Sequence, residues 1–236
     1  IGAERTGAGG QNLPFSPATR AGDFVFISGQ VAMNERGEIE PGGIEAQTKR
    51  TMENVIAVLA QEFRALDVEV ADTIRLAAHD VPAGVTSDEG EGDEWPVIRE
   101  KILAADILIL GTPIWMGQAG SVAKRALERM DAFLSETDAQ GRMPSYSKVA
   151  VAAIVGNEDG AHFASAQIFQ ALNDVGWTIP AVAACYWVGE AMGSTDFKDL
   201  DETPEMVAKT AKMVAENATH LARLLKSGPY PGYGDG

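Results

Sequence analysis

Apolar positions along the chain fall into two rhythms, short unbroken or alternating runs and longer stretches with helical spacing. Residues 24–28 carry Phe24, Val25, Phe26 and Ile27 in succession and predict a first strand. Residues 44–64 place Ile44, Met52, Val55, Ile56 and Leu59 on one helical face, which predicts a crossover helix. Residues 68–77 predict a second strand, and Asp72 and Arg75 within it point to an edge position. The acidic, glycine-rich stretch 82–94 predicts a loop, and 95–103 a short helix. Ile107, Leu108, Ile109 and Leu110 form the continuous apolar run of a strand buried on both faces of a parallel sheet. A sharp turn is expected at Gly111, Thr112 and Pro113, and then a helix from near Ser121 with Val122, Leu127, Met130 and Phe133 or Leu134 in phase. After a loop at 135–147, residues 148–155 predict a strand, 160–175 a helix, 178–186 the last strand and 204–225 a long closing helix. The Gly/Pro/Tyr-rich end, 228–236, predicts a frayed tail.

Strands alternating with helices imply an α/β fold built on a parallel sheet with helices on both faces. A length of 236 residues suits one large α/β domain, or one domain with an appendage. The formal charge of −15 argues against nucleic acid and anionic membranes as partners, and serves solubility in any case. Cys185 is the single cysteine, which excludes an intrachain disulfide and suits a reducing cytoplasm. No basic stretch followed by an apolar core marks a signal peptide, and no apolar run has the length to span a bilayer. Three histidines and one cysteine, without metal-ligand spacing, give no expectation of a metal site. Neither a Gly-x-Ser-x-Gly elbow nor a paired-carboxylate arrangement is present, so hydrolase chemistry is not expected.

In open α/β sheets ligands bind beyond the carboxyl ends of the strands. The segment after Leu110 offers an aromatic, a small residue and backbone N–H groups there, suited to a flat hydrogen-bonding ring such as a flavin. Thr112, Pro113, Ile114, Trp115 and Gly117, followed by a helix with Lys124 and Asp131, resemble the second flavin loop of the flavodoxin-like NAD(P)H-dependent FMN reductases. The strand at 148–155, followed by Gly156, Asn157, Glu158, Asp159, Gly160, Ala161 and His162, resembles that family's third flavin loop. The resemblance covers about residues 66–226 and implies a flavodoxin-like doubly wound parallel sheet of order 2-1-3-4-5, with 24–28 as its central strand. It further implies FMN lying across Thr112, Pro113, Ile114, Trp115, Met116, Gly117 and Gln118 on one side and Gly156, Asn157, Glu158, Asp159, Gly160 and His162 on the other. Hydride would come from NAD(P)H and pass to a quinone or other small acceptor. Backbone N–H groups at Gly156, Asn157 and Gly160 would face the N1–O2 edge of the ring, with Ile114, Trp115 and Met116 as an apolar floor. Trp115 reads as a stacking residue or as core, His162 as a catalytic or a surface group, and Asp159 as a helix N-cap or a ligand. Tyr186, Trp187, Val188 and Gly189 wall the pocket or close its rim.

The first quarter of the chain is different. Leu13, Pro14, Phe15, Ser16, Pro17, Ala18, Thr19 and Arg20, leading through Gly22 and Asp23 to Gly29 and Gln30, resemble the start of the reactive-intermediate (enamine/imine) deaminases. Gly42, Gly43, Ile44, Glu45, Ala46, Gln47 and Thr48, through Asn54 and Val55, continue the likeness, which covers about residues 12–61. That family's substrate-carboxylate arginine and later catalytic glutamate have no counterpart here. The expected organisation is a hybrid: 1–65 a deaminase-like segment giving the sheet its first strand and helix, 66–226 a flavodoxin-like body, 227–236 a flexible tail. Residues 29–43 carry no hydroxyl side chain and include Glu35, Glu38 and Glu40, which oppose a phosphate; Gly42, Gly43 and Arg36 remain as its possible partners. Residues 31–39 read as a hairpin arm or as a phosphate cradle, and reduced FMN affinity is expected. The rival readings are a deaminase-related protein and a flavodoxin-like partner-binding domain without cofactor. Homo-oligomerisation is left open.

Overall fold

The computed structural model describes residues 18–21, 24–27, 43–191, 193 and 195–233. The chain forms two compact units, Ile1–Arg50 and Thr51–Gly236. In the first, strands β1 (Ala18–Ala21) and β2 (Phe24–Ile27) form a two-stranded antiparallel sheet with Ala18 opposite Ile27 and Ala21 opposite Phe24. The strand expected at 24–28 therefore exists, but as half of this ladder and not as the centre of the parallel sheet. Only Gly22 and Asp23 separate the two strands. So short a connection permits antiparallel neighbours, whereas parallel neighbours need a crossover of roughly a dozen residues or more. The expected hairpin arm or phosphate cradle at 31–39, with Glu35, Arg36, Glu38, Glu40 and Gly42, lies outside the described residues.

Helix α1 (Gly43–Arg64) leads into the second unit, which also holds α2 (Trp95–Ala104), α3 (Ser121–Met130), α4 (Ala161–Asp174) and α5 (Glu205–Ser227). Its sheet has the order β4-β3-β5-β6, with β3 at Ile107–Trp115, β4 at Gln118–Ala119, β5 at Val149–Gly156 and β6 at Ala184–Val188. β3, β5 and β6 run parallel, with Ile107 opposite Val149 and Ala152 opposite Ala184. β5 is central, and its unbroken apolar sequence follows from burial on both sides. Val149, Val151, Ala153 and Val155 pack with Val55, Leu59 and Phe63 of α1 and Val214 and Ala218 of α5. Ala150, Ala152 and Ile154 face Trp95, Ile98, Leu127, Met130 and Ile168 of α2, α3 and α4. Each large aliphatic side chain buried this way contributes roughly 1.5–3 kcal/mol of hydrophobic stabilisation. The fold is α/β and flavodoxin-like, with a parallel-dominated sheet. Its three parallel strands keep the 3-4-5 part of the expected order.

Three local expectations need correction. β3 does not turn at Gly111, Thr112 and Pro113 but continues to Trp115, and the reversal falls on Met116 and Gly117, at φ 52° and 75°. Positive φ at both central residues is the signature of the tight turn that joins antiparallel strands, here β3 and β4. Residues 68–77 form no ladder among the described residues. Val68 and Val70 pack with the α1–α5 side and Ile74 and Leu76 with the other, so the stretch passes between the faces. Between them Asp72 is tied to Lys101 (2.6 Å) and to the Thr73 amide (2.7 Å), a polar interruption that a paired strand would have to desolvate. The last strand begins late: Thr178 makes only an isolated bridge to Val149, and Val182 at φ 54° breaks the extended run before Ala184.

One buried ion pair fixes the acidic loop. The side chains of Arg129 of α3 and Asp93 are both fully buried and lie 2.5 Å apart. Arg129 also donates to the carbonyls of Thr86 (2.9 Å) and Pro82 (3.3 Å), and its guanidinium sits 5.7 Å from the Trp95 ring. Burial pushes the Asp93 carboxyl up. Hydrogen bonds from Arg129 and from the amides of Glu89 and Trp95 outweigh it and hold the group at about 2.

Candidate active site

β3 and β5 end side by side, so the loops that follow them meet. Gly160 sits at φ 125°, and a Cβ there would run into the backbone of Gly117. The Met116 N–H donates to Glu158 Oε1 at 2.7 Å, tying the tip of the first loop to the second. Below the turn, the buried Thr112 hydroxyl accepts the Gly120 N–H at 2.9 Å, and that N–H also reaches the Pro113 carbonyl at 3.2 Å. Gly120 packs against the edge of Trp115, where an added Cβ would lie 3.3 Å from Trp115 Cδ1. The turn thus holds Trp115 (45 % exposed) and Met116 (88 % exposed) on the surface instead of in the core.

The second loop supplies polarity without side-chain charge neutralisation. α4 begins at Ala161 with Gly160 as N-cap, and no side chain caps it. Asp159, expected as a cap, is exposed one position earlier, because the positive φ that the approach to Gly117 demands falls on Gly160. Among the described residues the amides of 157–160 have no hydrogen-bond partner. The Asn157 side chain donates to the Gly193 carbonyl at 2.8 Å, pinning the loop from behind. Free N–H groups and the positive end of α4 together favour an electron-rich ligand edge.

The structure gathers the sequence-predicted residues into these two touching loops, with differences in exposure. Thr112 and Ile114 are buried beneath the turn, and Ile114 packs against Gly156, where a Cβ would lie 2.8 Å from its own. Pro113, Gly117, Gly156, Asn157, Glu158 and Gly160 are half-buried, while Trp115, Met116, Gln118, Asp159 and His162 are exposed. His162 Nε2 lies 3.1 Å from the Tyr186 hydroxyl, their rings edge to face at 5.3 Å, so His162 is held at the rim by β6. Sequence reasoning missed the Glu158–Met116 tie and the His162–Tyr186 pair; both join residues far apart in the chain, and no spacing announces them. Exposed apolar side chains here stand beside unpaired amides at a helix start. Of the residues expected to meet a phosphate, Arg36 and Gly42 lie outside the described residues, and Gly43 opens α1.

Comparisons with known proteins bear on the family and the fold. The sequence profile of the NADPH-dependent FMN reductase family matches residues 45–191, and that of the Endoribonuclease L-PSP family matches residues 10–77. The chain is therefore a hybrid of two families. It is 33% identical over 184 residues to 8-demethyl-8-aminoriboflavin-5'-phosphate synthase of Streptomyces davaonensis, covering 74% of this chain and 70% of that enzyme. It is 34% identical over 163 residues to the divalent metal cation transporter MntH of Mycobacterium bovis, covering 66% of this chain but only 24% of the transporter. No helix among the described residues is long and apolar enough to cross a membrane. The crystal structure of RosB with bound 8-demethyl-8-formylriboflavin-5'-phosphate superposes with a TM-score of 0.70 at 28% identity, covering 78% of this chain and 76% of RosB. Profile, sequence and fold converge: the chain belongs to the NADPH-dependent FMN reductase family, which implies FMN as cofactor and NAD(P)H as electron donor.

Proposed function

We propose that residues 112–118 and 156–162 hold the isoalloxazine ring of FMN, and that the protein passes electrons from NAD(P)H to a quinone or other small acceptor. The observation that carries this reading is the contact of the two loops, with Trp115 and Met116 exposed on one and unpaired amides on the other. Bound there, FMN would supply the two-electron chemistry between donor and acceptor. The chain's own part is to bind and orient. Trp115 and Met116 would give the ring an apolar surface, and the amides of Asn157 and Gly160 would donate to its oxygen-bearing edge, while Gly156, paired with Val188 in the β5–β6 ladder, ends the strand beneath them. Electron density gained at that edge would be met by donors already in place, at little reorganisation cost. His162, steadied by Tyr186, stands at the rim and would be the candidate to exchange a proton with a bound acceptor. In this reading residues 66–226 form the flavin-binding body of a cytoplasmic enzyme, residues 1–65 are the appended deaminase-like segment, and 227–236 a tail.

A second reading has one observation in its favour. The likeness to an aminoriboflavin-phosphate synthase, and to RosB with a modified flavin bound, supports a site in which the flavin itself is altered. The two readings separate on one assay. FMN added with NAD(P)H and a quinone should be recovered unchanged while the pyridine nucleotide is oxidised. Consumption of FMN into a new chromophore, without quinone turnover, would favour the second reading.

A further inference from the structure

We propose that a pocket between residues 76–81 and the first turns of α3 seats the adenine ring of the nicotinamide donor, an inference that rests on the reading of NAD(P)H as electron donor. The pocket has a volume of about 210 Å³ and is lined by Leu76, His79, Val81, Val122, Arg125 and Ala126 among others. Whole-ligand pockets are roughly 300–1,000 Å³, so this one takes a single ring system and not an entire dinucleotide. Its walls are mainly aliphatic, with nitrogen-bearing side chains at only two positions.

The polar groups suit the face and edge of a base. Arg125 donates to the Val81 carbonyl at 3.0 Å, which steadies the guanidinium plane for stacking on a ring face. His79 Nδ1 lies 3.1 Å from Glu94 Oε1, and Glu94 also accepts the Asp80 amide at 2.6 Å. A carboxylate fixed beside the histidine disfavours an anion, while the other ring nitrogen can still meet the edge of a heterocycle. Position completes the case. Trp115 of the flavin loop packs on Gly120, and Val122 of the pocket is two residues further along the same turn. The two surfaces flank one helix start at the carboxyl end of the sheet, an arrangement suited to an extended ligand whose ends differ in chemistry.

The test is titration of the full chain with AMP by calorimetry, with FMN titrated in parallel. Val122→Phe fills the pocket from an exposed position, and Arg125→Ala, also exposed, removes the stacking cation and keeps the test open if bulk at 122 perturbs folding. AMP should bind the native chain, about tenfold more weakly in Val122→Phe and about threefold more weakly in Arg125→Ala. FMN affinity should be the same in all three proteins, and the KM for NAD(P)H should rise in both variants. No AMP binding, or AMP binding that both variants leave intact, would overturn the proposal. AMP binding that responds to the variants in a protein that fails to bind FMN would instead uphold the pocket and sink the reading of the flavin loops.

Discussion

Trp115 owes its exposure to the two residues after it. With Met116 and Gly117 both at positive φ, the chain reverses immediately beyond β3, and the indole is left over Gly120 instead of reaching the core. A stacked aromatic contributes roughly 0.5–1.5 kcal/mol beyond its area burial, so Trp115→Ala should weaken FMN and riboflavin binding by that amount. Unchanged affinities in fluorescence titrations would remove Trp115 from the site. Asp93 makes a different claim. Its folded-state carboxyl lies at about 2, below the ordinary 3.8, so the stabilisation from the Arg129 pair is fully present above about pH 4. That stabilisation is lost as pH falls through about 4 towards 2. Urea denaturation between pH 5 and 2 should show the decline, and Asp93→Asn should abolish much of it. At neutral pH the same substitution leaves Arg129 buried without its counter-charge and should cost about 3–5 kcal/mol. A variant as stable as the native chain would mean that the pair contributes nothing.

The junction of the β3–β4 turn with the start of α4 depends on backbone approach at Gly160. Gly160→Ala places a methyl group against Gly117 and forces a residue with a Cβ to φ 125°, so it should destabilise the protein by about 1–3 kcal/mol. It should also part the two loops and lower flavin affinity; a thermal melt and a flavin titration indistinguishable from those of the native chain would contradict this. Elements with a strong periodic signal were legible in the sequence. β5 and the helices α2 to α5 fall within a few residues of their expected bounds, because each buries a continuous stripe or a whole apolar run. What misled were residues whose types suggest a turn but whose partners lie elsewhere. Gly111, Thr112 and Pro113 look like a reversal, yet they stay in register with Ala153, Ile154 and Val155, and the Gly120 amide satisfies Thr112 and Pro113 from the far side of the hairpin. Residues 68–77 alternate like a strand, but their apolar side chains divide between two faces of the core. The strand at 24–27 was found in its place and assigned the wrong neighbour, since pairing is settled by a two-residue connection more than by apolar content.

At the scale of the whole molecule, the candidate site was legible as two loops and illegible as one site. Local sequence placed Trp115 and Gly160 after parallel strands; only the fold reveals that Glu158 reaches Met116 and that Gly160 lies on Gly117. The hybrid character adds a prediction of its own. The FMN reductase profile begins at residue 45, and the segment before it carries Glu35, Glu38 and Glu40 with no hydroxyl between Ser28 and Thr48. Charge-assisted N–H bonds to phosphate are the strong ones in a complete flavodoxin-like site. Here riboflavin should bind nearly as well as FMN, and replacing the three glutamates with serine should raise FMN affinity alone. Strong native discrimination against riboflavin would reveal a phosphate cradle formed by other residues. The most direct test of the central claim is titration of the purified full chain with FMN, following the flavin's visible absorbance and fluorescence. Saturable one-to-one binding with shifted flavin bands, weakened in Trp115→Ala, is the predicted result; a flavin spectrum that stays that of free FMN at every protein concentration would contradict it.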